Sequence, residues 1–119
     1  MNGPVPESVF DRQFALSRVG GDEELLKEIA AVFLEDYPNS IREIRSAITA
    51  GDAKRLENSA HTLKGSVSTF GARGAVESAS RLEQLGRSQR VEAYAEALLA
   101  LEQALSALHP ELEALLNGV

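Results

Sequence analysis

The sequence has no cysteine and no tryptophan among its 119 residues. Without cysteine the chain can form neither disulfide bonds nor cysteine-ligated zinc sites, and this composition is typical of a reducing compartment. Aromatic residues make up only 5% of the chain, so its core must consist mainly of Leu, Ile, Val and Ala. A core of this composition favours helices over a sheet.

Positive charge is also scarce, since 12 Lys and Arg residues stand against 18 Asp and Glu residues. The resulting net charge of −6 argues against binding to nucleic acid or to an anionic membrane surface. No apolar run approaches the ~20 residues that a membrane span needs, and the first residues do not resemble a signal peptide. We therefore expect a cytoplasmic protein that binds other proteins.

The length and the apolar fraction of 44% predict one folded domain over residues 1–119. Within it, residues 1–6 are expected to be a flexible N-terminal segment, because two prolines lie there. We find no internal repeat and no strand-like alternation of apolar and polar residues.

Apolar residues recur every three or four positions along most of the chain, which is the spacing of one face of an α-helix. Asp22 and Asp52 are good N-cap residues. The pattern predicts helices near residues 7–18, 22–50 (bent around Pro38), 53–70, 73–87 and 90–108, with Pro110 kinking or ending the last one. The predicted apolar face of the second helix consists of Leu25, Ile29, Phe33, Tyr37, Ile41, Ile44 and Ile48. Short links between long helices predict an all-α, up-down four-helix bundle with a short additional N-terminal helix.

The third predicted helix carries the most informative segment, residues 60–66, which reads AHTLKGS. Its predicted core face consists of Leu56, Ala60, Leu63, Val67 and Phe70. His61 lies about 100° around the helix from Ala60 and off this face, so its imidazole is expected to project into solvent. Lys64 and Ser68 lie one and two turns further along and are expected to be exposed, whereas Glu57 lies one turn back.

Gly65 is an unfavourable residue inside a helix, where glycine costs about 1 kcal/mol relative to alanine. Its missing side chain would let another protein's backbone or a phosphoryl group approach His61. Lys64 offers a mobile positive charge suited to phosphoryl oxygens. The chain has no Walker-type loop and no convincing magnesium site, so it is not expected to use ATP by itself. A metal ion for phosphoryl transfer would have to come from a partner.

The sequence resembles the histidine phosphotransfer (HPt) domains of bacterial two-component phosphorelays. The resemblance lies in residues 60–66 followed by Phe70-Gly71, and in residues 20–26, 33–36, 50–52 and 82–85. It implies a monomeric bundle that accepts a phosphoryl group on His61 and holds it with help from Lys64 and Gly65. It also implies that the donor is a receiver-domain aspartate or a hybrid histidine kinase, and that the acceptor is the aspartate of a response regulator. The chain would hold no cofactor or metal of its own, and Mg²⁺ would sit in the receiver.

Two further expectations concern the surroundings of His61. Some family members place a glutamine near the histidine from the neighbouring helix, and here either Glu83 or Gln84 is the candidate. A brief but specific encounter needs an apolar patch near the nucleophile. The short first helix supplies Phe10, Phe14 and Leu16, because a closed bundle does not need them for its core; Glu57 and Ser68 are weaker docking candidates.

Three alternatives compete with this interpretation. Glu57 and His61 can share a metal ion, but the repeated Glu-x-x-His sets of a metal-binding bundle are missing. A phosphate-independent helical interaction module predicts the same fold and differs only in whether His61 is phosphorylated. The dimerising domain of a sensor kinase normally has acidic neighbours beside its histidine and half a bundle per chain.

The sequence leaves open whether the chain is a free carrier or a module of a hybrid kinase. His109 is expected to be an exposed or capping residue with no role.

Overall fold

The computed structural model describes residues 9–118, which form five α-helices and no strand. The helices are α1 (Arg12–Arg18), α2 (Glu23–Ala50), α3 (Ala53–Ser68), α4 (Arg73–Arg87) and α5 (Tyr94–Leu116), with a 3₁₀ turn at Val91–Ala93. Helices α2 to α5 form the bundle, and α1 is the short additional helix. The predicted fold class is therefore confirmed. The proposed flexible segment over residues 1–6 lies outside the described residues.

The bundle is a closed ring in which α3 packs against α2 and α4, and α5 also packs against α2 and α4. Its closest helix pair is α3 and α4, and Gly86 of α4 explains why. A Cβ atom at this position would lie 3.1 Å from the backbone nitrogen of Glu57 and 3.2 Å from the carbonyl oxygen of Ala53. Only glycine allows the two backbones to approach this closely. This contact places the polar face of α3 beside α4.

Aspartate caps define where three of the helices begin. The side chains of Asp11, Asp22 and Asp52 each accept a hydrogen bond of 3.0 Å from a backbone N–H three residues later. The caps predicted at Asp22 and Asp52 are therefore confirmed. The prediction that the first helix already includes residues 9–11 is wrong. Asp11 caps α1, and its own N–H donates to the carbonyl of Phe70 at 3.0 Å, which holds this segment against the end of α3.

Both internal prolines lie within continuous helices. Helix α2 runs through Pro38 without a break, and α5 runs through Pro110 as far as Leu116. The prediction that the last helix ends near residue 108 is therefore wrong. Both proline rings are exposed, so the carbonyls that lose a helical partner can bond to water. Beyond Pro110, Leu112 and Leu115 are buried, and their burial offsets the cost of proline, about 3 kcal/mol.

The core residues predicted for the third helix are buried as expected, namely Leu56, Leu63 and Val67 of α3 and Phe70 just beyond its end. The predicted apolar face of α2 is partly wrong, both at its N-terminal end and near its C-terminal end. Leu25 is 40% exposed, and Leu26, Ala30 and Ala47 occupy buried positions instead. Each step of four residues rotates 40° past a full turn of a 3.6-residue helix. A stripe built from repeated steps of four residues therefore drifts around the surface of the helix.

Helix α1 closes one end of the bundle. Helix α2 has 28 residues and α3 has 16, which correspond to lengths of about 42 Å and 24 Å. The N-terminal part of α2 therefore extends beyond α3, and α1 packs against α2. Ala15 of α1 is fully buried. The expectation that the core does not use the first helix is wrong for Ala15, because the projecting end of α2 needs a cover.

Truncating Leu63 tests the core assignment. Leu63 is 1% exposed, so Leu63→Ala is expected to lower the free energy of unfolding by about 2–5 kcal/mol, measured by urea denaturation. Thr62→Ala, on the exposed side of the same turn, is the matched control, with an expected change within about 0.5 kcal/mol. Equal effects of the two substitutions would contradict the assignment of α3's buried face.

Candidate functional site

His61 projects outward from the middle of α3, and its side chain is 66% exposed. Its Nδ1 atom lies 2.9 Å from a carboxylate oxygen of Glu83 on α4. An ionised carboxylate only accepts hydrogen bonds, so Nδ1 must carry the hydrogen of this pair. The lone pair of a neutral imidazole then lies on Nε2. The contact therefore selects the tautomer in which Nε2 is the available nucleophile.

Glu83 is the only buried charged residue among residues 9–118. Its second carboxylate oxygen accepts a hydrogen bond of 2.7 Å from Nζ of Lys64. The hydrogen bond from Lys64 lowers the pKa of Glu83, and the hydrogen bond from His61 adds to this effect, whereas burial acts in the opposite direction. Glu83 is therefore ionised near neutral pH and is held between two donors from α3.

Lys64 and Ser68 are less exposed than expected. The side chain of Lys64 is 29% exposed because it turns toward Glu83 rather than into solvent. Ser68 is half-buried, and its hydroxyl donates to the carbonyl of Lys64 at 2.7 Å. The exposure predicted for these two residues is therefore wrong. Helical periodicity places them on the polar face, but α4 covers one side of that face.

Gly65 lies on the exposed side of α3, one turn beyond His61. A Cβ atom added there would meet no atom within 4 Å. This glycine therefore differs from Gly86, where the neighbouring backbone leaves no room for a side chain. Helix packing does not require glycine at position 65, and the space beside His61 is open to solvent.

Arg87 joins this cluster from α4 and was not singled out from the sequence. Its Nε donates to Glu57 at 2.7 Å, and another guanidinium nitrogen lies 3.3 Å from Glu83. The hydrogen bond from Arg87 is the main cause of the lowered pKa of Glu57. The four-residue spacing of Glu83 and Arg87 is the signal that could have indicated this pair. No group of three possible metal-ligating side chains occurs within residues 9–118, and Glu57 pairs with Arg87 rather than with His61.

The three apolar docking candidates differ in exposure. Phe10 packs against Phe70, with ring centroids 6.5 Å apart, and Leu16 is partly buried. Phe14 is 40% exposed. It lines a groove of about 270 Å³ together with Arg18, Ser68, Gly71, Arg73, Val76 and Glu77. Ser68 lies seven residues beyond His61, or about 10 Å along the helix axis, so Phe14 lies on the side of α3 that carries the histidine.

A second apolar area borders the opposite side of α3. Val32 of α2 is 59% exposed, and it lines a groove of about 220 Å³ that also includes Ser66 and Thr69 of α3. The sequence reasoning missed this area, because Val32 lies outside the predicted apolar stripe. The exposed face of α3 therefore has an apolar residue on each side, Phe14 and Val32.

The expectation that His109 is an exposed or capping residue is wrong. This residue is half-buried, and its Nδ1 lies 2.6 Å from the hydroxyl of Tyr37 on α2. Burial raises the pKa of Tyr37, and the nearby Glu113 raises it further. The phenol therefore stays protonated, and its hydrogen bond with His109 links α5 to α2.

Comparison with known proteins identifies the fold and the family. A model of the Hpt domain family matches residues 28–111. The chain belongs to the Hpt family. The match includes His61 and both helices that form its site. Hpt domains are phosphotransfer carriers rather than kinases, and they work with receiver domains and hybrid kinases in phosphorelays. The chain therefore has a histidine phosphotransfer role in two-component signalling.

Two crystal structures of Hpt proteins are similar over nearly their whole length. One is histidine-containing phosphotransfer protein B (HptB) from Pseudomonas aeruginosa PAO1, with a TM-score of 0.87, 21% identity and coverage of 98% of this chain and 99% of that chain. The other is the HPT domain of the Hpt sensor hybrid histidine kinase from Shewanella, with a TM-score of 0.81, 18% identity and coverage of 95% and 97%. At these identities the comparison establishes the shared fold. A search of curated proteins gives no match. None of the helices in residues 9–118 is long and apolar enough to cross a membrane.

Proposed function

We propose that His61 accepts a phosphoryl group from the aspartate of a receiver domain or from a hybrid kinase and passes it to the aspartate of a response regulator. The observation that carries this proposal is the environment of the imidazole. Glu83 holds Nδ1 at 2.9 Å, while the ring is exposed and has open space beside Gly65. The buried side of the ring is thus fixed, and its nucleophilic side faces the partner.

In the forward step, the lone pair of Nε2 attacks phosphorus in line with the departing oxygen. The bond between phosphorus and the aspartyl oxygen breaks, and its electron pair leaves with the carboxylate. Lys64 and Arg87 both reach Glu83 beside the ring, so they are placed to offset charge on the phosphoryl oxygens. Mg²⁺ in the receiver would stabilise the same oxygens from the other side. In this proposal the chain supplies the nucleophile and the cations but no cofactor.

The partner would dock across the exposed face of α3. Small or polar residues occupy this face, and Phe14 and Val32 lie on its two sides. An encounter with two apolar contacts around a polar centre can be specific and still short-lived. Glu57 contributes less than proposed from sequence, since its side chain is only 14% exposed and is paired with Arg87. The ring of four helices closes within one chain, which supports a monomeric carrier.

Phe14→Ser tests this docking surface. We expect it to raise the Kd for the receiver by about tenfold or more, because an aromatic anchor is lost, without changing the helix content. Surface plasmon resonance gives the Kd and circular dichroism the helix content. Leu99→Ser is the matched control, since Leu99 is 55% exposed on α5, which does not pack against α3. Deleting α1 is a poorer test, because Ala15 is part of the core. Equal receiver affinities for the two variants would exclude Phe14 from the interface.

The function is tested by incubating the protein with phosphorylated receiver domains from the same genome. The expected result is acid-labile label on this chain, which then moves to a second receiver. A phosphate-independent interaction module would bind receivers without taking label, and that outcome would replace the proposal.

A further inference from the structure

Glu83 contacts the one imidazole nitrogen that does not bind phosphorus in the proposed transfer. It is 6% exposed, and it holds Nδ1 of His61 at 2.9 Å and Nζ of Lys64 at 2.7 Å. Arg87 approaches the oxygen that His61 contacts, at 3.3 Å. Tautomer selection requires only an acceptor at this position, which a neutral amide oxygen also provides. A buried carboxylate does more, because its negative charge also attracts the positive charge of a phosphorylated ring.

We propose that Glu83 is a positioning residue that limits the lifetime of phosphorylated His61 by keeping a proton on Nδ1. This inference rests on the proposed function, since it concerns the phosphorylated state of the same histidine. It predicts a carrier that releases its phosphoryl group readily instead of storing it. Glu83 acts through the ring and contacts neither phosphorus nor Nε2.

The chemistry follows from the charge on the ring. When neutral His61 attacks through Nε2, the new N–P bond leaves the ring positively charged as long as Nδ1 keeps its hydrogen. If that hydrogen is retained, cleavage of the N–P bond returns the electron pair to Nε2 and releases a neutral imidazole. If it is lost, the same cleavage must release an imidazolide anion, which is a much poorer leaving group. The proton on Nδ1 therefore speeds both hydrolysis by water and transfer to an aspartate.

The other charges around the ring strengthen this effect after phosphorylation. The charged groups of this cluster are Lys64 and Glu57 on α3, and Glu83 and Arg87 on α4. Glu83 contacts the ring, Lys64 and Arg87 contact Glu83, and Glu57 contacts Arg87. A phosphoryl group on Nε2 adds negative charge that attracts the two cations away from Glu83. Glu83 is then left with the Nδ1 hydrogen as its main partner. An amide at position 83 could instead donate a hydrogen bond to a deprotonated Nδ1.

The test uses phosphoramidate, a small donor that phosphorylates histidine without a receiver. Wild type, Glu83→Gln and the control Glu96→Gln are phosphorylated chemically and freed of donor, and loss of the ³¹P NMR signal of the N–P bond is followed across the neutral pH range. Glu96 is a suitable control because it is an exposed carboxylate on α5. We expect Glu83→Gln to shift the pH profile of hydrolysis by about one unit toward acid, lengthening the phosphohistidine lifetime about tenfold at neutral pH. Glu96→Gln should follow wild type.

The outcomes separate this inference from the proposed function. If receivers label His61 but the Glu83→Gln profile coincides with that of wild type, Glu83 has no such role. A change of rate that is the same at every pH would equally overturn it, because a purely structural effect does not move a pH profile. If phosphoramidate labels His61 and the profile shifts, but no receiver transfers to it, the proposed function alone fails. Glu83→Asp keeps the charge, so a lifetime longer than that of Glu83→Gln would contradict charge as the cause.

Discussion

His61→Gln is expected to reduce phosphoryl transfer from a labelled receiver to background. No other described side chain near His61 combines exposure with a nucleophilic nitrogen: Lys64 is engaged by Glu83 at 2.7 Å, and neighbouring Thr62 is a neutral hydroxyl that bonds to the carbonyl of Asn58. The fold should be unaffected, because the His61 side chain is 66% exposed and substitutions at such positions change stability by about 0.5 kcal/mol or less. Transfer of label on a gel and thermal unfolding measure the two effects.

His109→Gln is the matched control for this experiment. His109 lies on α5 and is held by the Tyr37 hydroxyl at 2.6 Å, so it should have no part in transfer. We expect this variant to accept label at the wild-type rate while losing some stability, because the link between α5 and α2 weakens. Label on His61→Gln, or loss of label in His109→Gln, would show that the phosphorylated residue has been assigned wrongly.

Gly65→Gln is expected to slow transfer by about a hundredfold or more while the bundle stays folded. A displacement of about 1 Å at the reacting atoms is enough to cost a factor of this size. The added side chain finds free space in the isolated protein, because a Cβ atom at position 65 meets nothing within 4 Å. Only the approach of the partner is obstructed. The measurement is the receiver-to-carrier rate, together with urea denaturation of both proteins.

Gly65→Ala separates this steric effect from the effect of glycine on the helix. Alanine should stabilise α3 by about 1 kcal/mol, and its single methyl group should slow transfer far less than glutamine does. A Gly65→Gln protein that transfers at the wild-type rate would show that the open space beside His61 has no role in docking. A Gly65→Ala protein as slow as Gly65→Gln would point to a requirement for backbone flexibility instead.

Local pattern was sufficient to predict the bundle and the exposure of His61. The caps at Asp22 and Asp52 depend on a side chain reaching an N–H three residues away, and this interaction is complete within one turn. The buried face of α3 follows from the 3.6-residue period over a short helix, in which small errors of phase do not accumulate. The motif around His61 was likewise sufficient to indicate the family.

Contacts between residues far apart in the chain explain the positions at which the sequence predictions were wrong. Helix α5 continues past Pro110 because the burial of Leu112 and Leu115 offsets the cost of a proline inside the helix, and the sequence pattern alone does not give the size of that gain. Phe14, rather than Phe10, is exposed because the Phe70 ring at the end of α3 covers Phe10. Helical propensity says nothing about contacts between residues 60 positions apart in the chain.

The surroundings of His61 show most clearly which features follow from the local sequence and which depend on helix packing. The sequence by itself places the histidine on a polar face and offers Glu83 and Gln84 as neighbours from the next helix. These two residues lie about 100° apart around α4, so only the rotation of α4 against α3 can select one of them. Gly86 allows the two backbones into contact, and in that arrangement the carboxylate of Glu83 faces His61 while Gln84 is exposed. The exposure of His61 could be predicted from sequence because this residue lies on the part of α3 that its neighbours leave open, whereas its charged partner depends on how two helices pack.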